Sequence, residues 1–353
     1  QSNILTNTDE ISDCCNLQKE AKIMAGDSTY KKQEGFNVIY LAGGCFWGME
    51  KLARALPGVS AAVSGYANGK DGAPPDYRLV CKGDTGFKET VRLTYDPKLI
   101  SLEQILQAYF LVIDPAVFNR QGNDVGTQYQ VGIYYSDPES EKIVERLVAL
   151  EQKKHSVFAL EHGPLINFFD AEPYHQNYLE TNPTGYCHIP QAKIQKLGAL
   201  IRAENAFQKP SVERLKSTLS PIQFEVTQNS ATERPFSNEY WQTREPGIYV
   251  DVTSGQPLFK STDKYESSCG WPGFSAPISE NVLEYFVDKS HNMERRELKS
   301  ALGGAHLGHV FENDPESPNG TRYCINSASL KFIPLSEMEA LGYGAYLLLF
   351  EEK

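Results

Sequence analysis

The sequence predicts an α+β N-terminal domain, a mixed sheet with flanking helices, linked to a mainly antiparallel β C-terminal domain. Three observations point there. Over residues 37–190, buried-strand runs alternate with segments whose apolar residues recur at helical spacing. From Ile222 onward, short alternating runs are separated by Gly, Pro and Ser. The chain has 353 residues, more than one core usually organises. No repeat relates the two halves, so they are not duplicates.

The elements follow in order. Residues 1–36 are polar, with little periodicity, and read as a poorly ordered lead carrying the adjacent Cys14 and Cys15 as incidental surface thiols. The apolar run Val38 to Ala42 reads as a buried strand. Gly43-Gly44 follows, then a helix beginning at Cys45, with Phe46, Met49, Leu52, Ala53 and Leu56 on one face and Pro57-Gly58 ending it. Thr90 to Tyr95 and Gln130 to Tyr135 read as strands, Leu102 to Ile113 and Pro138 to Lys154 as helices. Residues 191–220 read as a partly helical linker, and 221–353 as the β domain with a C-terminal tail. In that domain Val226, the run Gly247 to Val252, Leu258-Phe259 and Tyr323 to Phe332 read as strands, and Glu280 to Phe286 as its one helix.

Composition narrows the function. Hydrophobic residues make up 41% of the chain, too many for a disordered protein. The formal net charge is −11 and no basic face is visible, which argues against nucleic acid. No run approaches the ~20 apolar residues of a membrane-spanning helix. The chain starts at Gln1, so an export signal removed upstream is compatible with it, and the compartment, cytoplasmic or extracytoplasmic, stays open. The seven cysteines are 14, 15, 45, 81, 187, 269 and 324. Their odd number and the absence of any Cys-x-x-Cys argue against a fully paired framework and a zinc knuckle, and in favour of working thiols.

The first thiol is Cys45 in Gly43-Gly44-Cys45-Phe46-Trp47-Gly48. A cysteine at a helix start meets free N–H groups and the positive end of the helix dipole, which should lower its pKa. Phe46 and Trp47 could wall a pocket for a methyl group, though alone they read equally well as core aromatics. Polar segments downstream favour a site: Asp76-Tyr77, Gly83 to Glu89, the loop Asn119 to Tyr129, Glu172 to Tyr178, and Gly185-Tyr186-Cys187-His188.

On these motifs residues 37–190 closely resemble the methionine sulfoxide reductase A family. The resemblance implies that Cys45 is the nucleophile and Glu89 the acid. It implies that Tyr77 and Tyr129 bind the sulfoxide oxygen with support from Asp124, that Phe46 and Trp47 hold the S-methyl group, and that Cys187 is the resolving thiol. The family usually has His-Ala before the glutamate; here Phe87-Lys88 stands there.

The second thiol is Cys324, in Arg322-Tyr323-Cys324-Ile325-Asn326-Ser327. On a strand over 322–332, Arg322, Cys324 and Asn326 would share a face, and guanidinium and imidazole neighbours would favour the thiolate. Ser268-Cys269-Gly270-Trp271 and His306-Leu307-Gly308-His309 accompany it. His-x-x-His plus Cys is also a partial zinc set, but its spacing is not that of a common finger. These motifs closely resemble the methionine sulfoxide reductase B family over residues 221–335. The resemblance implies Cys324 as nucleophile and Cys269 as resolving thiol. His306, His309 and Asn326 would then bind and protonate the oxygen, with Arg322 tuning the thiol and Trp271 packing on the methyl. Many relatives hold zinc through two Cys-x-x-Cys pairs. This chain has Val252 to Gly255 and Ala301 to Gly304 in those regions, so no zinc and no other cofactor is expected. After Phe311, Asn313 precedes Asp314 where the family places its aspartate.

Together the resemblances imply a fused enzyme for oxidative protein repair. The N-terminal domain would take the S epimer and the C-terminal domain the R epimer of free and protein-bound methionine sulfoxide, with thioredoxin or another dithiol as reductant. A redox-sensing interaction protein and a metal enzyme are the alternatives; a sensor would yield no methionine.

Overall fold

The computed structural model describes residues 26–70, 74–289 and 294–351; Cys14 and Cys15 lie outside them. The chain divides between Gly198 and Ala199 into two compact units. No helix among the described residues is long and apolar enough to cross a membrane.

In the first unit the run Asn37–Ala42 forms β1. It lies inside a six-stranded sheet and is buried on both faces, which is why it is continuously apolar. Helix α1 (Phe46–Ala55) follows, then β2 (Val59–Ala67), the short α2 (Tyr77–Val80) and β3 (Lys88–Tyr95). Next come α3 (Leu102–Val112) and a small hairpin of β4 (Arg120–Gln121) and β5 (Asp124–Val125). β6 (Gly132–Tyr135), α4 (Pro138–Gln152), β7 (Glu161–Pro164) and β8 (Phe168–Asp170) complete the sheet region. The strand order is β7-β6-β1-β3-β2-β8. Only the β6/β7 pair is parallel, so the sheet is mixed. Helix α1 lays Phe46, Met49, Leu52 and Ala53 inward and packs on β2 and β3. Ser101 and Gln104 close a reciprocal capping box at the start of α3, and Asp137 caps α4 ahead of Pro138.

The lead is a correction. Residues 26–36 lack an apolar pattern, yet they are tied down through a buried carboxylate. Asp27 Oδ2 lies 2.6 Å from the Arg92 guanidinium and accepts the Tyr40 hydroxyl at 3.0 Å. Its Oδ1 accepts the Thr29 and Tyr30 amides. Docking through a buried ion pair leaves no trace in hydrophobic periodicity.

The short α5 (Tyr178–Thr181) leads to α6 (Gln191–Ala206) and α7 (Val212–Thr218), which fill the segment read as a linker. Helix α8 (Pro221–Asn229) corrects the strand expected around Val226. Ser220 caps it, Pro221 opens it and Gln223 closes a capping box, a helix-start pattern visible in the sequence.

The second unit contains two antiparallel sheets. The strands β9 (Gly247–Asp251) and β10 (Pro257–Lys260) join β17 (Leu330–Pro334) in the order β10-β9-β17. The larger sheet is built from β11 (Lys264–Tyr265), β12 (Gly273–Phe274), β13 (Leu283–Asp288), β14 (Arg295–Ser300), β15 (His306–Glu312) and β16 (Thr321–Ile325). Its order is β11-β12-β16-β15-β14-β13. Tyr249, Phe259, Phe274, Leu298, Leu307 and Ile325 form the shared core. Two further expectations change here. The helix expected over Glu280 to Phe286 is a single 3-10 turn (Glu280–Val282) followed by β13, because Tyr285, Phe286 and Val287 pair along β14. The strand expected over 322–332 is broken into β16 and β17 by a 3-10 turn at Ser327–Ser329. There the Ser329 hydroxyl donates to the Asn326 carbonyl at 2.7 Å, offering the backbone a local partner that competes with a continued ladder.

Candidate active sites

In the first unit, Cys45 is the residue before α1, reached through the Gly43-Gly44 turn. Gly44 has φ +83°, and a Cβ there would meet the Gln121 Cβ at 2.6 Å, so the turn needs glycine. The Cys45 thiol is buried. Its ionisation corrects the expectation of a lowered pKa: burial first, and the Glu89 carboxylate second, push it well up, against the pull of the Trp47 and Gly48 N–H groups. The helix start acts on the sulfur as expected, but desolvation outweighs it.

Glu89, on β3, is 1% exposed and its Oε2 accepts the Phe46 N–H at 3.1 Å. Burial pushes its carboxyl up to about 8, with the Phe46 amide opposing and Asp124 reinforcing. At neutral pH it therefore carries a proton. Burial, followed by the charge on Glu89, also raises the Tyr77 and Tyr129 hydroxyls, so both stay protonated donors. Asp124 adds to the field on Cys45, Glu89 and Tyr129. It accepts a hydrogen bond from the Tyr186 hydroxyl at 3.1 Å.

Phe46 is buried against Tyr66 and His175, with ring centroids 5.9 and 5.0 Å away. The Trp47 indole stacks on Tyr178 at 3.8 Å and donates to His175 Nδ1 at 3.2 Å. Cys187 sits by the first turn of α1: a Cβ on Gly48 would lie 3.2 Å from its sulfur. Its S–H donates to the Ile189 carbonyl, and burial raises its pKa. The neighbouring His188 bonds the Gly43 carbonyl at 2.8 Å, fixing the Tyr186–His188 segment to the turn that carries Cys45.

In the second unit the sulfurs of Cys324 and Cys269 are 3.5 Å apart. They behave as a pair that readily loses one proton and holds the other. The hydrogen bond from Cys324, with help from the Ser267 hydroxyl and Arg322, holds Cys269 down to about 5 against burial. The same bond, with burial, pushes Cys324 up, which corrects the expectation that its neighbours favour the thiolate there: Arg322 pulls the other way and is outweighed. Arg322 Nε lies 2.9 Å from Asp314 Oδ2, and its guanidinium lies over the Phe311 ring. Asp314 also accepts the Tyr265 hydroxyl at 3.0 Å. The carboxylate supporting Arg322 is thus Asp314; Asn313 forms the turn at φ +59°.

Cys324 pairs directly across from His309, so the two side chains share a face. Residues 306 and 309 would normally alternate, but the β14/β15 register slips at Leu298/Lys299, opposite His306 and Gly308. The two imidazoles end 5.7 Å apart. His306 Nδ1 bonds Glu297 at 2.6 Å and His309 Nε2 bonds Asp288 at 2.7 Å. His306 Nε2 is buried and has no partner. Burial keeps His306 below the usual histidine pKa although Glu297 opposes this. Asn326, read from the resemblance as an oxygen-binding residue, commits one amide N–H and its Oδ1 to the backbone. It lies past the end of β16, where its Nδ2 donates to the Leu307 carbonyl and its Oδ1 accepts the Glu233 amide. The Trp271 indole donates to the Glu233 carbonyl at 3.2 Å.

The loops where the resemblance would put zinc lie side by side. A Cβ on Gly303 would come within 2.5 Å of Asp251 Oδ2 and 2.6 Å of Thr253 Oγ1. Asp251 takes hydrogen bonds from Thr253 and Ser254. One carboxylate and hydroxyls do not fit a structural zinc, which needs thiolates or imidazoles.

Sequence reasoning gave no role to Glu172, His175, Tyr66 or Tyr178 beside the first site, nor to Glu233, Glu297 or Asp288 beside the second. Glu297 lies in the run Glu294-Arg295-Arg296-Glu297, whose charges cancel within the sequence. Only the pairing of β13, β14 and β15 turns it toward His306.

Residues 37–206 match the family model for peptide methionine sulfoxide reductase, and residues 219–334 match the SelR domain. Among solved structures the chain is similar to Mxr1 from Saccharomyces cerevisiae in reduced form. The two are 36% identical over 46% of this chain and 94% of that one, with a TM-score of 0.43. It is also similar to methionine sulfoxide reductase A of Corynebacterium diphtheriae: 34% identity, 46% and 87% coverage, TM-score 0.41. Mxr1 from Saccharomyces cerevisiae in complex with Trx2 matches at 26% identity over 43% of this chain and 91% of that one, with a TM-score of 0.31.

Proposed function

This chain belongs to the methionine sulfoxide reductases, S-specific in its first half and R-specific in its second, and from that premise we propose how its own residues carry out the two reductions. The observation that carries the proposal is that each compact unit holds its own cysteine pair beside protonated or protonatable donors.

In the first unit, the S-methyl group of the S epimer lies against Phe46 and Trp47. Its oxygen meets the Tyr77 and Tyr129 hydroxyls and the Glu89 carboxyl, with Asp124 acting through its field and through Tyr186. The Cys45 sulfur attacks the sulfoxide sulfur while Glu89 delivers its proton to the oxygen, and the thiol proton restores Glu89. Because Glu89 is neutral at pH 7, the second cause of the raised Cys45 pKa is absent when the thiol gives up its proton there. The oxygen ends on Cys45 as sulfenic acid. The substrate gains two electrons and leaves as the thioether, and Cys45 loses two. The Cys187 thiol then condenses with it, giving a disulfide and water. An external dithiol reduces that disulfide by exchange.

In the second unit Cys324 passes its proton to the Cys269 thiolate 3.5 Å away and attacks the R epimer, with His306 and His309 supplying the proton to the oxygen and Trp271 against the methyl. Arg322, held by Asp314, stabilises negative charge on the sulfur pair. Cys269 resolves the sulfenic acid from 3.5 Å away. Asn326 is a brace that fixes the ends of β15 and β16. The reaction needs no zinc. Thioredoxin or a thioredoxin-like protein is the reductant, in keeping with the Mxr1–Trx2 complex, and both free and protein-bound methionine sulfoxide are substrates.

The experiment is a time course on racemic methionine sulfoxide, free and in an oxidised peptide, with dithiothreitol or thioredoxin as reductant and chiral separation of the remainder. Both epimers should be consumed to completion. Consumption that stops at half would remove one site from the proposal, and no methionine at all would favour a redox sensor.

A further inference from the structure

The Trp47 indole is clamped twice. One face stacks on Tyr178 at 3.8 Å and 16°, and its N–H donates to His175 Nδ1 at 3.2 Å. An indole N–H can only donate, so Nδ1 is the bare nitrogen of His175 and the ring proton sits on Nε2. His175 is 2% exposed, and its ring is wedged among Phe46, Trp47, Tyr77 and Tyr174 with centroids 4.3–5.7 Å away. Nε2 has no hydrogen-bond partner and lies 3.9 Å from Glu172 Oε2. That carboxylate is itself held in place: Oε2 accepts the Tyr66 hydroxyl at 2.7 Å and Oε1 the Tyr77 N–H at 3.1 Å. His175 therefore touches the aromatic wall on one side and the tyrosine that carries an oxygen-side hydroxyl on the other.

We propose that His175 is a positioning residue for the first site: it fixes the Trp47 indole, and with it the shape of the methyl subsite. The proposal rests on the reading of Trp47 as the methyl wall given above. His175 has no part in moving the oxygen or its proton, so its loss weakens binding and spares the chemical step.

The test compares His175→Phe, which keeps a ring and loses the acceptor, with His175→Asn, whose amide oxygen can stand near the place of Nδ1. A neutral hydrogen bond of this kind is worth about three- to tenfold in binding. In the full-length protein with dithiothreitol, His175→Phe should raise KM for the S epimer about three- to tenfold with kcat within about twofold. His175→Asn should restore most of the loss. Reduction of the R epimer by the same samples calibrates enzyme concentration. A fall in kcat with KM unchanged, wild-type behaviour of His175→Phe, or equal defects in both variants would overturn the proposal. Failure of the reading beneath it looks different: a Trp47→Ala variant would then keep the wild-type KM for the S epimer.

Discussion

Replacing Glu89 by Gln separates what the first site gains in chemistry from what it costs in stability. Glutamine keeps the shape and an acceptor for the Phe46 amide but has no acidic proton. Loss of a general acid typically costs 10²–10⁴-fold in rate, so S-epimer reduction should fall by about that factor while R-epimer reduction is unchanged. Stability should move the other way. The carboxyl is raised from its ordinary 4.5 to about 8 and is almost wholly buried. A group raised in the folded state contributes stability that is fully present below its unfolded pKa and is lost as pH rises through its folded pKa. From pH 4 to pH 7 the wild-type unit should thus lose on the order of 3 kcal/mol that the glutamine variant does not lose, and a little more by pH 8. Hydrogen exchange of the β1 and β3 amides, converted to opening free energies at pH 5 and pH 8 in both proteins, reads the difference inside this unit alone. The variant's advantage should widen toward pH 8. An advantage equal at both pH values, or full S-epimer activity in the variant, would refute a Glu89 held protonated by burial.

Other outcomes follow from the same geometry. Cys187→Ser and Cys269→Ser should each allow one turnover at their own site and then stop, with sulfenic acid on Cys45 or Cys324 by mass spectrometry after dimedone trapping; sustained thioredoxin-driven turnover would mean another thiol resolves. Asp27→Ala strands the nearly buried Arg92, which keeps the half-exposed Asp170 carboxylate at 3.1 Å and the Thr29 hydroxyl at 2.8 Å. Removing one partner of a buried pair costs about 3–5 kcal/mol, so β1 and β3 amides should lose about 3 kcal/mol of protection and residues 26–36 should become accessible to protease.

What could be read from the sequence divides along a physical line. Apolar period placed α1, α3, α4, β1 and β3, because each buries one stripe or two faces in a single core. Val226 went to the wrong class because short strand-like residues were weighed above the Ser220-Pro221-Gln223 helix start. β13 was missed because an edge strand that is half exposed, Leu283 to Asp288, carries no clean alternation of buried and polar residues. The thiols and their motif neighbours were visible, but their ionisation was not: the helix start at Cys45 is local, whereas the burial that overrides it belongs to the assembled pocket. The carboxylates behind His306 and His309 were hidden for the same reason, since Glu297 and Asp288 reach the imidazoles through cross-strand packing, whereas Glu172 approaches His175 locally, across one 3-10 turn.

The central claim is that one chain holds two independent thiol centres, one for each mirror arrangement at sulfur. Initial rates on the pure S and R epimers, measured for wild type, Cys45→Ser and Cys324→Ser, test it most directly. Cys45→Ser should abolish only the S reaction and Cys324→Ser only the R reaction. Either substitution silencing both epimers, or neither silencing its own, would contradict it.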